Sequence, residues 1–106
     1  MYRVIIKHTR PSQSVEFFNP KTSTLVSDET RAHIRNNYVV TGKIVNSEES
    51  ISPDGLDLTI AVVYQDEATY DAWKSDTVIV EGVYNIGVAH RESNGITSVV
   101  ISAEAI

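Results

Sequence analysis

The sequence predicts an α+β fold in which an antiparallel sheet carries helices on one face, as one domain over residues 1–106. Three observations favour this interpretation. The chain is long enough for one hydrophobic core and too short for two. Several segments are rich in β-branched residues and partly alternate in polarity, which is typical of strands. Segments with helix-capping residues and helical spacing lie between them.

The first half begins with a strand and continues to a short helix. Tyr2–Thr9 is rich in Val and Ile, and alternation places His8 on the same face as Val4 and Ile6. A turn around Pro11 ends this strand. Farther on, Ser27 is a candidate N-cap followed by two acids, so we expect a helix over residues 28–36.

Two paired strands are expected in the middle of the chain. Residues 38–45 are strongly β-prone, and residues 56–64 alternate clearly between apolar and polar positions. The polar residues 46–50 and a Pro-Asp-Gly turn at 53–55 would form a long hairpin connection between them.

A second helix over residues 66–74 follows, behind an acidic first turn. Residues 77–91 fit two patterns, because residues 77–80 are β-branched while residues 80–91 carry a helical apolar stripe. We favour a helix over 80–91 and leave a strand open. With a last strand over 96–103, the order is β-α-β-β-α-β, the split β-α-β topology of the ferredoxin-like fold.

Charge and composition exclude several classes of function. Nine Lys and Arg residues against fourteen Asp and Glu residues give a net charge of −5, which repels nucleic acid. The chain has no cysteine, which excludes a disulfide and a thiolate metal site. The first residues contain only a short apolar run, so we expect neither a signal peptide nor a membrane span, and a cytoplasmic location.

No sequence motif predicts a metal or a cofactor. The three histidines lack zinc-binding spacing, and the glycines lack the patterns that bind phosphate. Asp54-Gly55 lacks the preceding acids of a calcium loop, and the serines lack a nucleophile elbow. We therefore expect no metal and no cofactor.

Residues 58–73, LTIAVVYQDEATYDAW, resemble a pattern of the dimeric α/β-barrel superfamily, in which the third strand runs directly into a helix with an aromatic residue near its end. The resemblance implies that two subunits pair their exposed sheet faces into a barrel. It also implies a cleft between sheet and helices that binds a small apolar, aromatic or amphipathic molecule. Some members are cofactor-independent monooxygenases or isomerases, and others bind or degrade haem. A long loop over 11–26 and a short first helix depart from the family pattern.

The two predicted middle strands independently favour a homodimer, because each carries apolar residues on both faces. Helices on one side would leave the other face exposed, and a second subunit would cover it. The residues on opposite faces are Val40 and Ile44 against Val39 and Val45, and Ile60 and Val62 against Ala61 and Val63.

The candidate site residues are those that could face this cleft. His8 is the candidate catalytic base, because an ordinary imidazole titrates near neutral pH; a hydrogen-bonded structural histidine is the alternative. Aromatic rings and a second imidazole are the candidate ligand-binding groups. They are Phe17, Phe18, His33, Tyr38, Tyr64, Trp73 and Tyr84.

Three functions remain open from the sequence. The first is a homodimer that binds a small aromatic or lipid-like molecule in the cleft. The second is a cofactor-independent monooxygenase or isomerase in the same cleft, with His8 as the base and Tyr38 or Tyr64 orienting an oxygen. The third is a structural or interaction protein without a pocket. A fold alone does not decide between them.

Overall fold

A four-stranded antiparallel sheet forms one layer of the protein. The computed structural model describes all 106 residues. Two β-α-β units interleave, so the first and third strands lie side by side in the centre, with the second strand beside the third and the fourth beside the first. This order confirms the predicted ferredoxin-like α+β fold. The strands are β1 (Tyr2–Thr9), β2 (Ile44–Ile51), β3 (Asp57–Tyr64) and β4 (Thr97–Ala105).

The helices form the second layer. Each helical segment begins where an acidic or hydroxyl side chain accepts a hydrogen bond from a backbone amide: Ser27 from Thr30, Asp66 from Thr69, and Asp76 from Val78. The segments are α1 (Asp28–Ile34) with a π-helical turn at Arg35–Val39, α2 (Glu67–Ser75), and α3 (Thr77–Ile79), which runs through a second π-helical turn at Val80–Tyr84 into α4 (Asn85–Asn94).

Residues 77–91, for which the sequence favoured a helix and left a strand open, are helical in the structure. The apolar stripe over 80–91 places Val83 and Gly87 in the protein interior, and this packing outweighs the β-branched character of residues 77–80. The helix ends at Gly95, whose φ of 68° is the left-handed conformation typical of a helix C-terminus.

The predicted strand over residues 38–45 is wrong in most of its length. Residues up to Val39 continue α1 as a π-helical turn, and β2 begins only at Ile44. Helical geometry brings Tyr38 onto the same side as Ile34, where both join the core. Val39 and Val40 are then 54% and 74% exposed. Burial of the tyrosine ring has outweighed the local β propensity.

The polar residues 46–50, expected in a connection, lie in β2 instead. This strand is an edge strand, and most of its side chains are exposed, so it needs no apolar alternation to be stable. Its pairing with β3 shifts by one residue at Val45, which is a β-bulge between the Ile44–Tyr64 and Asn46–Val63 pairs.

The hydrophobic core lies mainly among the helices and the loop over 11–26. That loop contributes Phe18 and Val26, α1 with its π-helical turn contributes Tyr38, and the third helical segment contributes Ile79 and Val83. Ile79 is 0% exposed. The loop therefore forms part of the fold, and it fixes α1 against the C-terminal helices.

Alternation along each strand gives the sheet two different faces. Val4 and Ile6 of β1 share the helix-covered face with their β3 partners Val62 and Ile60. The other face has no helix over it. It carries apolar residues of β1 and β3 beside charged ones: Ile5, Ala61, Val63, Arg3 and Lys7. The predicted two-sided apolar character is therefore found in β3 but not over residues 38–45.

None of the helices combines the length and the apolar character that crossing a bilayer requires.

Ile79→Ala should destabilise the fold strongly, because it leaves a cavity at the most buried side chain of the core. We expect a loss of about 2–5 kcal/mol in the free energy of unfolding, measured by urea denaturation at fixed protein concentration. The neighbouring Val78→Ala is the control, since Val78 is 38% exposed and should cost about 1 kcal/mol or less. Equal losses in the two variants would contradict this core assignment.

Candidate functional site

A cleft of about 420 Å³ lies between the helix-covered face of the sheet and α1. Its floor is formed by β2 and β3, one wall by α1 with its π-helical turn, and one end by α2 and the second π-helical turn. The loop over 11–26 reaches its rim. The lining residues are Asn19, Pro20, Lys21, Arg31, Ile34, Arg35, Val39, Ile44, Ser47, Glu49, Ile60, Val62, Tyr64, Trp73 and Val83.

Strand alternation explains why the floor is apolar in its centre and polar at its edge. Ile60, Val62 and Tyr64 are every second residue of β3 and point toward the helices. Their partners on the edge strand include Ser47, paired with Val62, and Glu49, paired with Ile60. The floor therefore changes from aliphatic to polar over the width of one strand.

A contiguous set of aromatic rings lies at one end of the cleft, and two of these rings, Tyr64 and Trp73, line it. Trp73 of α2 packs edge-to-face on Tyr38 at 4.8 Å between ring centroids and lies 6.3 Å from Tyr64 of β3. Tyr70 then packs on Tyr64 at 5.1 Å and stacks on Tyr2 of β1 at 5.8 Å. Each such pair contributes about 0.5–1.5 kcal/mol beyond area burial. We call these five rings the aromatic wall; it joins α2 to the sheet.

Three tyrosines in and beside the wall are held in the neutral form. Burial raises the pKa of Tyr64, and burial raises the pKa of Tyr84 to about 12. Burial together with a hydrogen bond to Asp76 raises the pKa of Tyr38 to about 12. Their hydroxyl groups are therefore protonated at neutral pH and are not phenolate bases, and the Tyr38 hydroxyl donates to Asp76.

Behind the wall, Asp76 joins α1 to the C-terminal helices. Its Oδ2 atom accepts hydrogen bonds from Tyr38 Oη and His33 Nε2, both at 2.7 Å, and its Oδ1 atom caps α3. Because a carboxylate oxygen accepts, His33 Nε2 is the donor in this contact, and the side-chain amide of Asn37 lies 3.3 Å from His33 Nδ1. Burial raises the pKa of Asp76, but the hydrogen bonds from His33, Tyr38 and Val78 lower it more, and the net shift is downward.

A second, more polar cavity of about 320 Å³ lies in the loop over 11–26. Phe17, Phe18 and His90 line it, and His90 Nε2 donates to the Glu16 carbonyl at 2.7 Å. Phe17 packs under the Arg10 guanidinium, 4.5 Å from the ring centroid, while Phe18 is in the core. Both phenylalanines thus contact the loop cavity and not the main cleft.

His8 lies on the helix-covered face, but it does not line either cavity. Its Nδ1 atom is hydrogen-bonded to Ser98 Oγ of β4. Burial lowers the pKa of His8, and the Arg91 guanidinium lowers it further, which favours the neutral imidazole. A catalytic role for His8 stays a prediction, and this geometry gives it no place at the cleft.

Of the expected ligand-binding residues, the structure places only Tyr64 and Trp73 at the cleft. Tyr38 packs behind Trp73, His33 joins the Asp76 network, and Tyr84 is half-buried near the wall. The aliphatic and charged lining residues were not predicted from the sequence. The sequence signals that could have identified them are the alternation of β3 and the four-residue spacing of Arg31 and Arg35. The main residues missed are Arg31, Ile34, Arg35, Ile44, Glu49, Ile60, Val62 and Val83.

Comparison with known proteins shows the fold and not the activity. No family model and no curated protein matches the sequence. A dimeric ferredoxin-like protein from an uncultured marine organism aligns with a TM-score of 0.60 and 12% identity, over 99% of this chain and 90% of that one. A protein from Deinococcus radiodurans, provisionally assigned as an antibiotic biosynthesis monooxygenase, aligns with a TM-score of 0.50 and 12% identity, over 100% of this chain and 96% of that one. Both neighbours agree with the ferredoxin-like fold that the resemblance to the dimeric α/β-barrel superfamily predicted.

Asp76→Asn should destabilise the protein and reduce its sensitivity to acid. Because the folded-state pKa lies below the ordinary 3.8, the carboxylate stabilises the fold above that pH, and this contribution is lost as the pH falls through the folded-state pKa. We expect a loss of about 1–3 kcal/mol near pH 7. The difference from the unsubstituted protein should shrink below pH 3.8. Urea denaturation from pH 7 to pH 2.5 measures both effects.

Asp71→Asn is the control for this measurement, because Asp71 forms only an exposed pair with Lys74 at 3.6 Å. A constant difference between Asp76→Asn and the unsubstituted protein across this pH range would show that the carboxylate charge is unimportant.

Proposed function

We propose that this chain is one subunit of a homodimer that binds a small, mainly apolar molecule, aromatic or lipid-like, in the cleft between sheet and helices. The observation that carries the proposal is the cleft itself. Eight of its fifteen lining residues are hydrophobic, and its volume of about 420 Å³ is typical of sites for small organic molecules. This favours a binding function over a structural protein without a pocket.

The cleft is held open by the packing around it. The aromatic wall fixes α2 on the sheet at one end, and the Asp76 network ties α1 to the C-terminal helices. Gly82 lets these helices approach closely, since a Cβ atom there would lie 2.6 Å from Thr30 Oγ1. These contacts oppose the collapse of α1 onto β3, so a ligand would find a site formed in advance.

Self-association is supported by the open face of the sheet. Ile5, Ala61 and Val63 form an apolar patch there, and Val99 of β4 is 52% exposed on the same side. A second copy would bury this patch, and a twofold axis requires such a self-complementary surface. The marine ferredoxin-like protein is described as dimeric, which agrees with this proposal.

Ile60→Trp should fill the cleft and weaken the binding of an uncharged apolar probe. N-phenyl-1-naphthylamine, whose fluorescence rises in apolar surroundings, reports binding directly. We expect the affinity to fall by about tenfold or more, while circular dichroism shows a folded protein. Val88→Trp is the matched control, because it adds the same ring at an exposed position of α4. Equal affinities in the two variants would mean that the probe binds elsewhere.

Ala61→Arg should convert the dimer into a monomer by placing a charge in the centre of the open face. We expect the unsubstituted protein to sediment as a dimer at micromolar concentration and Ala61→Arg as a monomer. Val88→Arg, on an exposed helix surface, should sediment like the unsubstituted protein. A monomeric unsubstituted protein would refute the self-association.

A second candidate function is cofactor-independent oxygenation or isomerisation in the same cleft. The observation in its favour is the fold likeness to the Deinococcus protein. In the cleft, the neutral Tyr64 hydroxyl could orient a substrate oxygen, and Glu49 of β2 is the one carboxylate in the lining. Oxygen uptake with a polycyclic phenol, lost in Ile60→Trp, would support oxygenation. Binding of that phenol without turnover would favour the binding function.

A further inference from the structure

The rim of the cleft is cationic although the chain as a whole is acidic. Lys21, Arg31 and Arg35 line the cleft, whereas Glu49 is its one acidic lining residue. The net charge of the whole chain is −5, so three of its nine basic residues are concentrated at one opening. Such a local excess attracts anions to the cleft even though the overall charge repels them.

The side chains at this rim have donors left over for a ligand. Arg35 and Lys21 are exposed and form no side-chain hydrogen bond or ion pair. Arg31 Nη2 donates to the Ser23 carbonyl, and Nη1 lies 3.4 Å from the fully exposed Asp28 carboxylate. Arg31 Nε is buried and has no hydrogen-bond partner. Arg3 Nε, on the open face, is in the same state, so the donors that a ligand can reach at the rim are those of the Arg31 Nη atoms, Arg35 and Lys21.

Arg31 and Arg35 also repel each other. They lie four residues apart on α1 and its π-helical turn, and both line the same side of the cleft. Like charges at this spacing destabilise a helix, and an anion between them would remove the repulsion. Arginine is well suited to this role, because its planar group binds carboxylate, sulfonate and phosphate oxygens with two parallel hydrogen bonds.

The centre of the cleft has the opposite character. Ile34, Ile60, Val62, Trp73 and Val83 surround it, and none of them carries a charge. A ligand that satisfies both regions has an apolar body for the centre and one anionic group for the rim. We propose that the cleft binds an amphipathic organic anion, with its acidic group at Arg31 and Arg35. This inference rests on the proposed binding function and specifies its ligand class.

Two dyes with the same aromatic body distinguish binding of an organic anion from binding of any apolar molecule. 8-Anilino-1-naphthalenesulfonate carries a sulfonate, and N-phenyl-1-naphthylamine lacks it. The unsubstituted protein should bind the sulfonate more tightly than the neutral dye. Arg35→Gln should reduce this preference by about two- to fivefold, the usual effect of one exposed charge pair, without changing the affinity for the neutral dye. Raising the salt concentration should weaken only the sulfonate.

Two further variants test whether charge in the cleft lining sets the preference for the sulfonate dye over the neutral dye. Glu49→Gln removes the opposing charge from the cleft and should increase the preference for the sulfonate. Lys74→Gln removes a positive charge from α2 outside the cleft lining and should leave the preference unchanged. If Arg35→Gln left the ratio of the two affinities unaltered, the anion proposal would fail while apolar binding remained. If neither dye bound, the proposed function would fail as well.

Discussion

The attachment of α2 to the sheet through the aromatic wall is the interaction on which the remaining structure depends. Tyr2 and Tyr64 stand on neighbouring strands, Tyr70 and Trp73 lie on α2, and Tyr38 connects this group to α1. These rings are large, so they hold the helical layer away from the sheet where they stand. Beside them the lining of β3 is aliphatic and shorter, and the gap that remains is the cleft. A site thus arises because bulky residues at one end separate two layers that smaller residues do not fill.

The two faces of the sheet have different roles, because the helices cover only one of them. On the covered face, the helices exclude water from Val4, Leu58 and Tyr64, and the cleft lies at the edge of this packed region. On the open face, only a second copy of the chain would exclude water from the apolar patch around Ala61. Binding and self-association would therefore use opposite sides of the same strands, and neither process would obstruct the other. The cationic rim lies on the covered side, at the end of α1.

The sequence was sufficient for the order of elements and for the fold, because strand alternation and helix caps are local signals. It failed at residues 38–45, where local propensity favoured a strand. There Tyr38 is buried against Trp73 in a helical turn, an interaction between residues far apart in sequence. The candidate site was predicted only in part for a related reason. Aromatic rings are common ligand-binding groups, yet Tyr38 and Phe18 pack in the core. Aliphatic residues such as Ile60 and charged residues such as Arg35 line the cleft instead.

Binding in the cleft can be observed by a methyl-resolved NMR titration with N-phenyl-1-naphthylamine, since the two faces of each strand carry separate reporters. We expect the methyl signals of Ile60 and Val62, and the indole signal of Trp73, to shift progressively with the probe, because these groups line the cleft. The methyl signals of Ile5 and Val63, which lie on the open face of β1 and β3, should stay unchanged. Shifts confined to Ile5 and Val63 would place the apolar site on the open face and refute binding in the cleft.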